Sequence, residues 1–504
     1  MATDTSRTSP VAAAAIGIAV LTGVIGDFLV RTERPGLNVW LLSLVFQVSL
    51  VLLHRRHQTG IPWTSFALLF LSGSFFLSFA WRDSPALNGI AFLAGVTAAG
   101  LAAWLAQGAS LLRSTPMQYV VGLARSAAGA MVGILPLALK DADWSPFRVA
   151  AEGSRLGGVG RGLALAIPPV IVFGGLFAAA DPIFSSFYRE IFDFDLDSLI
   201  SHGVVIGFLA WGVAGFLREM VVPGIHKTPD ARIVSGARLG FTETMVVMGS
   251  VSLVFLLFVA IQLRTLFGGD AFVLAQTGLT YAEYAREGFF HMAWAAALVL
   301  PMLLFLEWVG RRSGPVEERS FHALAILLLF LLGLVLLSAV HRMRIYQQSY
   351  GLTELRVYTV AFMAWLGPVL AWFGLTVLAG RRERFVPGAL SLAFAGVLAL
   401  HLINPDRLIA RTNLERAVQG LEFDVRHAVS LSDDAMPVMV KALEEFTPKQ
   451  QCILVARMQR QPDDWRSWNL SRWRARNLLQ TMEAKLATIQ AGCQTTILPQ
   501  REES

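Results

Sequence analysis

The stretch HALAILLLFLLGLVLLSAVH at residues 322–341 contains no Asp, Glu, Lys or Arg and is long enough to cross a membrane as one helix. A bilayer core of about 30 Å needs roughly 20 apolar residues in helical conformation. Similar runs follow one another through the chain, in which 55% of the 504 residues are hydrophobic and 15% are charged. Soluble proteins usually carry about 25% charged residues, so the composition favours a membrane protein.

Eleven such runs predict eleven transmembrane helices, and the fold class is therefore all-α. A further apolar segment at 119–140 carries Arg125, whose charge is costly within a bilayer. We expect this segment to form an interfacial or re-entrant helix, and the count becomes twelve if it crosses. The predicted spans lie near residues 11–30, 38–54, 63–81, 88–107, 162–180, 199–217, 244–263, 289–309, 322–341, 359–379 and 386–403.

The chain divides into a transmembrane helix bundle over residues 1–403 and a C-terminal soluble helical domain over residues 404–504. Roughly twice as many Lys and Arg residues fall in the loops of one side as of the other, and such residues favour the cytoplasm. This bias predicts a cytoplasmic N-terminus and an extracytoplasmic C-terminal domain. The net charge of +6 follows from the same bias, so we expect no nucleic-acid partner.

Both cysteines, Cys452 and Cys493, lie in the C-terminal domain. An extracytoplasmic location permits a disulfide between them, and two buried free thiols are the alternative. Residues 404–406, Asn-Pro-Asp, predict the end of the last span, with Asp406 as the cap of the next helix. Apolar residues at helical spacing predict a long amphipathic helix over 462–490.

Charged residues near span ends occur at spacings that place them on one helix face. Asp27 precedes Arg31 by four residues, and Glu307 precedes Arg311 by four. Each spacing predicts an ion pair near a membrane interface. The scarcity of ionisable residues at mid-span argues against ion-coupled transport.

Polar and helix-breaking residues inside the spans allow two interpretations. Gln47 and Gln262 are expected to join neighbouring helices by hydrogen bonds. Pro168, Pro301 and Pro368 interrupt predicted spans. Broken helices can expose backbone groups to a cavity, which keeps a transporter or channel as an alternative, whereas tolerated kinks are the simpler explanation.

Three histidines, His291, His341 and His401, fall near the outer ends of their predicted spans. Glu287 precedes His291 by four residues and lies on the same helix face. These four residues are candidate metal ligands, and hydrogen-bonded interfacial histidines are the alternative. We expect no cofactor.

The start of the C-terminal domain is expected to dock on the outer loop YGLTELRVY that precedes a late span. Arg356 in that loop, and Asn413, Glu415 and Arg416 in the tail, are the candidate docking residues. The chain lacks a phosphate-binding loop, a nucleophile elbow, paired zinc cysteines and an HExxH motif. The sequence therefore predicts no enzyme, although an intramembrane enzyme stays open.

Six blocks resemble signature segments of a known family: RGLALAIPPVIVFGGLFAAADPIF (161–184), GLTYAEYAREGFF (278–290), YGLTELRVYTVAFMAWL (350–366), NPDRLIARTNLERA (404–417), LSDDAMP (431–437) and DWRSWNLSRWRAR (464–476). The family is the bacterial domain-of-unknown-function family 4173, which is related to family 4153. The resemblance implies an uncharacterised multi-pass protein of the bacterial cytoplasmic membrane, and it supplies no catalytic residues.

Taken together, the residues and the resemblance predict a noncatalytic role in sensing, regulation or assembly. The expected partners are the lipid bilayer and a membrane or extracytoplasmic protein. A transporter or channel for an unidentified small solute is the alternative.

Overall fold

The computed structural model describes residues 5–142, 196–222, 239–277, 281–458 and 464–497, with a few isolated positions between 159 and 181. The predicted fold class is confirmed, because the described chain is almost entirely helical and ten of its helices are long and apolar enough to cross a membrane. The span predicted at 162–180 lies largely outside the described residues.

Twelve helices precede the C-terminal region in the described chain. They are α1 (Thr5–Val30), α2 (Leu37–His57), α3 (Trp63–Trp81), α4 (Pro85–Ala106), α5 (Pro116–Val132), α6 (Ile134–Pro136), α7 (Leu196–Val221), α8 (Phe241–Thr277), α9 (Tyr281–Val309), α10 (Pro315–Tyr350), α11 (Glu354–Thr376) and α12 (Phe385–Ile403). A π-helical turn, Leu137–Asp141, follows α6.

The C-terminal region, which we call the tail, contains six further helices in its described part. They are α13 (Pro405–Val418), α14 (Val425–Ser430), α15 (Met436–Lys441), α16 (Pro448–Met458), α17 (Leu470–Thr481) and α18 (Glu483–Ile497). Not one of these six qualifies as a candidate membrane span.

The tail packs at one end of the membrane helices, which we call the tail face. The amide of Leu37, at the start of α2, donates to the carbonyl of Trp468 in the tail at 2.9 Å. At the same face, Arg31 near the end of α1 donates to Ser201 near the start of α7 at 3.0 Å. The chain therefore leaves α1 and enters α2 and α7 at the tail face.

Helices α5 and α6, with the π-turn, form a bent element in which the axis turns by 54°. Near its start, Tyr119 packs on Trp104 at the end of α4, with ring centroids 4.8 Å apart. At its finish, Asp141 accepts from Arg218 at the end of α7 at 2.6 Å. Both α4 and α7 end at the face opposite the tail, so both ends of the bent element lie near that face.

The membrane helices form two bundles, each with its own apolar core. In the first bundle, α1–α7 surround fully buried residues that include Leu50 and Leu217. In the second bundle, α8–α12 surround a core that includes Phe321 and Phe373.

Helix α12 joins the two bundles, since it packs on α4 and α5 as well as on α11. The rings of Phe75 in α3 and Phe394 in α12 lie 5.3 Å apart. Val397, one turn further along α12, belongs to the same buried cluster as Phe79 and Ala91. This contact is narrow compared with the cores of the bundles themselves.

Two of the predicted polar contacts within the membrane part are present. Arg31 donates to Asp27 at 2.8 Å, as the spacing of four residues predicts. Gln262 in α8 accepts from buried Arg342 in α10 at 2.6 Å, so it joins two helices. Gln47 instead donates to Ser43 of its own helix at 2.9 Å.

The expected pair between Glu307 and Arg311 is not formed. Glu307 contacts Arg382 at 2.8 Å and Arg312 at 3.4 Å. The reason is that α9 ends at Val309, so the helical spacing does not continue to Arg311, whose amide donates to the carbonyl of Leu239.

The tail has its own apolar core, built from residues of α13 to α18 and extended by Leu352 and Val357 of the membrane part. A disulfide joins Cys452 in α16 to Cys493 in α18, with their Cα atoms 5.6 Å apart.

Two expectations about helix ends in the tail were wrong. The side chain that caps α13 belongs to Asn404, which accepts from the amide of Arg407 at 3.3 Å, and Asp406 is instead buried in the first turn. The single helix expected over 462–490 is interrupted, because Asn469 caps a new helix after the short turn at Trp465–Ser467.

Candidate functional site

The last four carbonyl groups of an α-helix have no partner within the helix. At the tail face, α1, α3, α10 and α12 all end, and polar side chains from other segments approach their last carbonyl groups. Arg466 donates to Phe28 O, Asn469 to Phe79 O at 2.7 Å, Ser471 to Trp81 O at 3.0 Å, Arg416 to Ser349 O at 3.1 Å, and Arg82 to His401 O at 2.6 Å.

Asp434 lies at the centre of this contact region, and its side chain is 1% exposed. One carboxylate oxygen accepts from Arg82 at 3.2 Å, Ser471 at 2.6 Å and Asn404 at 3.0 Å. The other accepts from the backbone amide of Asp83 at 2.8 Å. A buried carboxylate needs such a set of donors to offset its loss of hydration.

Asp83 forms a second ion pair beside the first. Its carboxylate accepts from the guanidinium of Arg472 at 2.8 Å, and both side chains are largely buried. Arg472 also donates to the carbonyl of Pro35 at 3.0 Å. The neighbours Arg82 and Asp83, in the loop between α3 and α4, thus each bind an opposite charge of the tail.

We call the side chains of Arg82, Asp83, Asp434, Asn469 and Arg472 the junction. Asn469 contributes through both ends of its amide. Its oxygen caps α17 by accepting from the amides of Ser471 and Arg472, and its nitrogen donates to the carbonyls of Phe79 and Arg82 at the end of α3. The junction therefore fixes the tail against the first bundle.

A different contact fixes the tail against the second bundle. The side-chain amide of Asn413 pairs with the backbone of Leu352, accepting from its N–H at 2.7 Å and donating to its carbonyl at 2.8 Å. Arg416 donates to the carbonyls of Gln348 and Ser349 at the end of α10. Two of the four predicted docking residues therefore bind the membrane part.

The other two predicted docking residues bind within their own segments. Glu415 accepts from Arg411 of the same helix at 2.7 Å, on the exposed surface. Arg356 donates to the carbonyl of Tyr350 at 2.9 Å, and its guanidinium lies 3.9 Å from the ring centroid of Tyr346. Arg356 thus caps the C-terminal end of α10 and does not bind the tail.

The candidate metal ligands do not form a site in the part of the chain that the structure describes, where no three His, Cys, Asp or Glu side chains are placed to hold an ion. His291 and His341 are exposed. His401 is buried, its Nδ1 lies 2.8 Å from the carbonyl of Val397, and its ring stacks on Trp81. The side chain of Glu287 lies outside the described residues.

Asp406 is fully buried beside the junction. One of its carboxylate oxygens accepts from the amide of Ser432 at 3.2 Å, while no donor of the described chain lies in hydrogen-bonding geometry to the other. Burial raises the pKa of Asp406, the negative charge of Asp434 raises it further, and the hydrogen bonds from Ser432 oppose the rise. The carboxyl group of Glu354, at the start of α11, faces the same group.

Sequence reasoning did not single out the junction residues, although two signals pointed to them. Arg82 and Asp83 are adjacent opposite charges that directly follow a charge-free helix, and Asp434 lies in LSDDAMP. Asn469 and Arg472 lie in DWRSWNLSRWRAR. The segments that carry the family resemblance in the tail therefore meet at one place in the structure.

A family model described as a domain of unknown function (DUF4153) matches residues 65–442. The matched range includes Arg82, Asp83 and Asp434 and ends before Asn469 and Arg472. No curated protein and no solved structure matches the chain.

The burial of the Asp83–Arg472 pair predicts strong energetic coupling between the two side chains. In a double-mutant cycle of Asp83→Ala and Arg472→Ala, we expect a coupling energy of about 1–3 kcal/mol. The exposed Arg411–Glu415 pair is the control, with about 0.5 kcal/mol or less. The free energy of unfolding is measured by denaturant titration in detergent, and equal couplings for the two pairs would contradict the junction.

The raised pKa of Asp406 predicts that docking of the tail depends on pH. A carboxyl group with a raised folded pKa contributes stability below its unfolded value of about 3.9, and this contribution is lost as pH rises through the folded value. Asp406→Asn imitates the neutral form, so we expect greater stability than wild type at neutral pH and a flatter pH profile. Unfolding midpoints measured from about pH 4 to 8 test this, with Asp424→Asn, which replaces an exposed cap, as control. If Asp406→Asn left the dependence of the unfolding midpoint on pH unchanged, the protonation of Asp406 would not be coupled to folding.

Proposed function

We propose that this chain, which belongs to the DUF4153 family, is a noncatalytic multi-pass membrane protein whose tail serves in sensing, regulation or assembly. The observation that carries the proposal is that one tail binds both helix bundles. The junction holds the first bundle through Arg82 and Asp83. Asn413 and Arg416 hold the second bundle at the end of α10.

Because the tail binds both bundles, a change in its position would change the position of one bundle relative to the other. In the described part of the chain, the bundles also meet where α12 packs on α3, α4 and α5. Buried ion pairs add little net stability compared with apolar packing, whereas the loss of one partner is costly. The junction is therefore suited to select one docked position, and a ligand or partner that favours another position would move the bundles.

We further propose that the tail is a soluble extracytoplasmic domain and that the chain lies in a bacterial cytoplasmic membrane with its N-terminus inside. The Lys and Arg bias between the predicted spans supports this orientation. The disulfide between Cys452 and Cys493 supports an oxidising compartment for the tail. The resemblance to family 4173 supports a bacterial origin.

A transporter or channel is the second candidate, and one observation favours it. Glu219, near the end of α7, is fully buried, and Gly129 of the bent element lies directly against its carboxyl group. Buried carboxyl groups beside broken helices are typical of ion-coupled transporters.

The regulatory proposal predicts that undocking the tail changes the distance between the bundles at the opposite face. Spin labels at Arg56→Cys and Ser313→Cys, both exposed there, report this distance by pulsed electron paramagnetic resonance. We expect a narrow distribution in the otherwise unchanged chain. Replacing both Asp83 and Arg472 by Ala is expected to shift or broaden it, because the junction no longer holds the first bundle.

The control replaces both Arg411 and Glu415 by Ala, which alters the tail without touching either bundle, and should leave the distribution unchanged. Limited proteolysis of the tail shows whether it has undocked. An undocked tail with an unchanged distance between the bundles would rule out the regulatory coupling.

The proposed orientation predicts different labelling of the two faces by a membrane-impermeant maleimide in intact cells. Ser430→Cys, exposed in the tail, should react, whereas Ser313→Cys should react only after the membrane is opened. The unaltered chain is the control, because its two cysteines are joined in a disulfide. The inverse pattern would place the tail in the cytoplasm and overturn the extracytoplasmic proposal.

A further inference from the structure

The first bundle contains an open cavity of about 300 Å³ between α1, α2, α3, α4 and α7. This volume is at the lower end of the range for ligand pockets in proteins. Its wall includes Thr22, Gln47, Ser72, Phe92, Leu209 and Gly212. The junction and the tail contribute no residue to it, so the cavity is separate from the site described above.

The position of these residues along their helices places the cavity near the middle of the bilayer. Gln47 is the central residue of the span Leu37–His57, and Ser72 is the central residue of Trp63–Trp81. Leu209 lies at the middle of Ser198–Val221. Hydrocarbon, rather than water, surrounds a protein at this depth.

The chemistry of the wall suits an apolar occupant. None of the described residues that line the cavity is charged, and nearly all of its surface is apolar. The hydroxyl of Ser72 donates to the carbonyl of Gly95 at 2.8 Å, and the amide of Gln47 donates to Ser43 at 2.9 Å. These polar groups are bonded within the protein, whereas the hydroxyl of Thr22 is buried without a partner.

The cavity also reaches the outer surface of the bundle. Phe92 on α4 is 48% exposed, and Gly212 on α7 is exposed as well. At mid-bilayer depth, such a surface faces the acyl chains of lipids. From the depth, the wall and this access, we propose that the cavity binds the hydrocarbon chain of a bilayer phospholipid.

Photo-crosslinking of the full chain in nanodiscs tests the proposal. The probe is a phosphatidylcholine with a diazirine at the middle of one acyl chain, and adducts on α2 are mapped by mass spectrometry. Ser43 and Gln47 line the cavity, whereas Leu44 and Val48 face outward. The expected result is adducts on both pairs of residues.

Gly212→Leu is the variant that fills the cavity, since a Cβ atom at Gly212 meets nothing within 4 Å. We expect adducts at Ser43 and Gln47 to fall about tenfold, because the chain loses burial worth about two methylene groups. Adducts at Leu44 and Val48 should not change.

Gly207→Leu is the matched control, because Gly207 is equally open and lies on the opposite side of α7. Its adducts should equal those of wild type. Thr22→Val tests the chemistry of the occupant, since removing the hydroxyl should leave labelling by a hydrocarbon chain unchanged.

Several outcomes would overturn the proposal. Adducts confined to Leu44 and Val48 in wild type would mean that lipid does not enter the cavity. Equal labelling in Gly212→Leu and Gly207→Leu would exclude the cavity as the labelled site. Loss of labelling in Thr22→Val would indicate a polar ligand, and labelling by a free diazirine fatty acid but not by the phospholipid would exclude a bilayer phospholipid.

Discussion

A transmembrane helix that ends at a membrane interface leaves its last carbonyl groups without partners, and this constraint shapes the whole tail face. Among the described helices, α1, α3, α10 and α12 end there with polar side chains of other segments on their last carbonyl groups. Each end also carries the partial negative charge of the helix dipole, which favours cations. Arg466, Arg416 and Arg82 supply guanidinium groups, and Asn469 supplies an amide. The tail is therefore bound chiefly through the backbone of the membrane helices. Its polar side chains satisfy the carbonyl groups at the helix ends, which is a structural role that does not require a ligand.

Arg82 links this capping to the ion pairs, because the same guanidinium binds the carbonyl of His401 and the carboxylate of Asp434. Its α3–α4 loop thereby touches both α12 and the tail. The adjacent Asp83 carries the opposite charge and forms an ion pair with Arg472. The ion pairs Arg82–Asp434 and Asp83–Arg472 have their charges arranged in opposite order. A displacement of the tail by one residue would therefore bring like charges together, and the two pairs disfavour such a displacement. The buried pairs thus specify a position more than they add stability.

The sequence allowed the spans to be predicted because burial in a bilayer is a local property of about 20 consecutive residues. The Asp27–Arg31 pair was predictable from local spacing too, since Asp27 lies in the last turn of α1 and Arg31 directly follows its last residue, Val30. The pair predicted between Glu307 and Arg311 is not formed, because α9 ends two residues after Glu307. The carboxylate of Glu307 forms an ion pair with Arg382 instead. The junction was beyond prediction by spacing, since Arg82 and Asp434 lie 352 residues apart. Their partners are fixed by how the tail folds back, which hydropathy does not encode.

The two attachments of the tail differ in kind, and this difference indicates where a change of state would begin. At the second bundle, Asn413 pairs with the backbone of Leu352 through neutral hydrogen bonds, and Arg416 binds backbone carbonyls with a guanidinium that stays charged. This attachment contains no titrating carboxylate, so it responds little to pH. At the first bundle, the attachment depends on charged pairs, and buried Asp406, whose pKa is raised, lies beside them. Loss of the proton of Asp406, or binding of a charged ligand, acts on these charges, so either would loosen the junction while Asn413 still holds. The tail would then rotate about its attachment at the end of α10. The first bundle, which contains the mid-membrane cavity, would lose its contact with the tail.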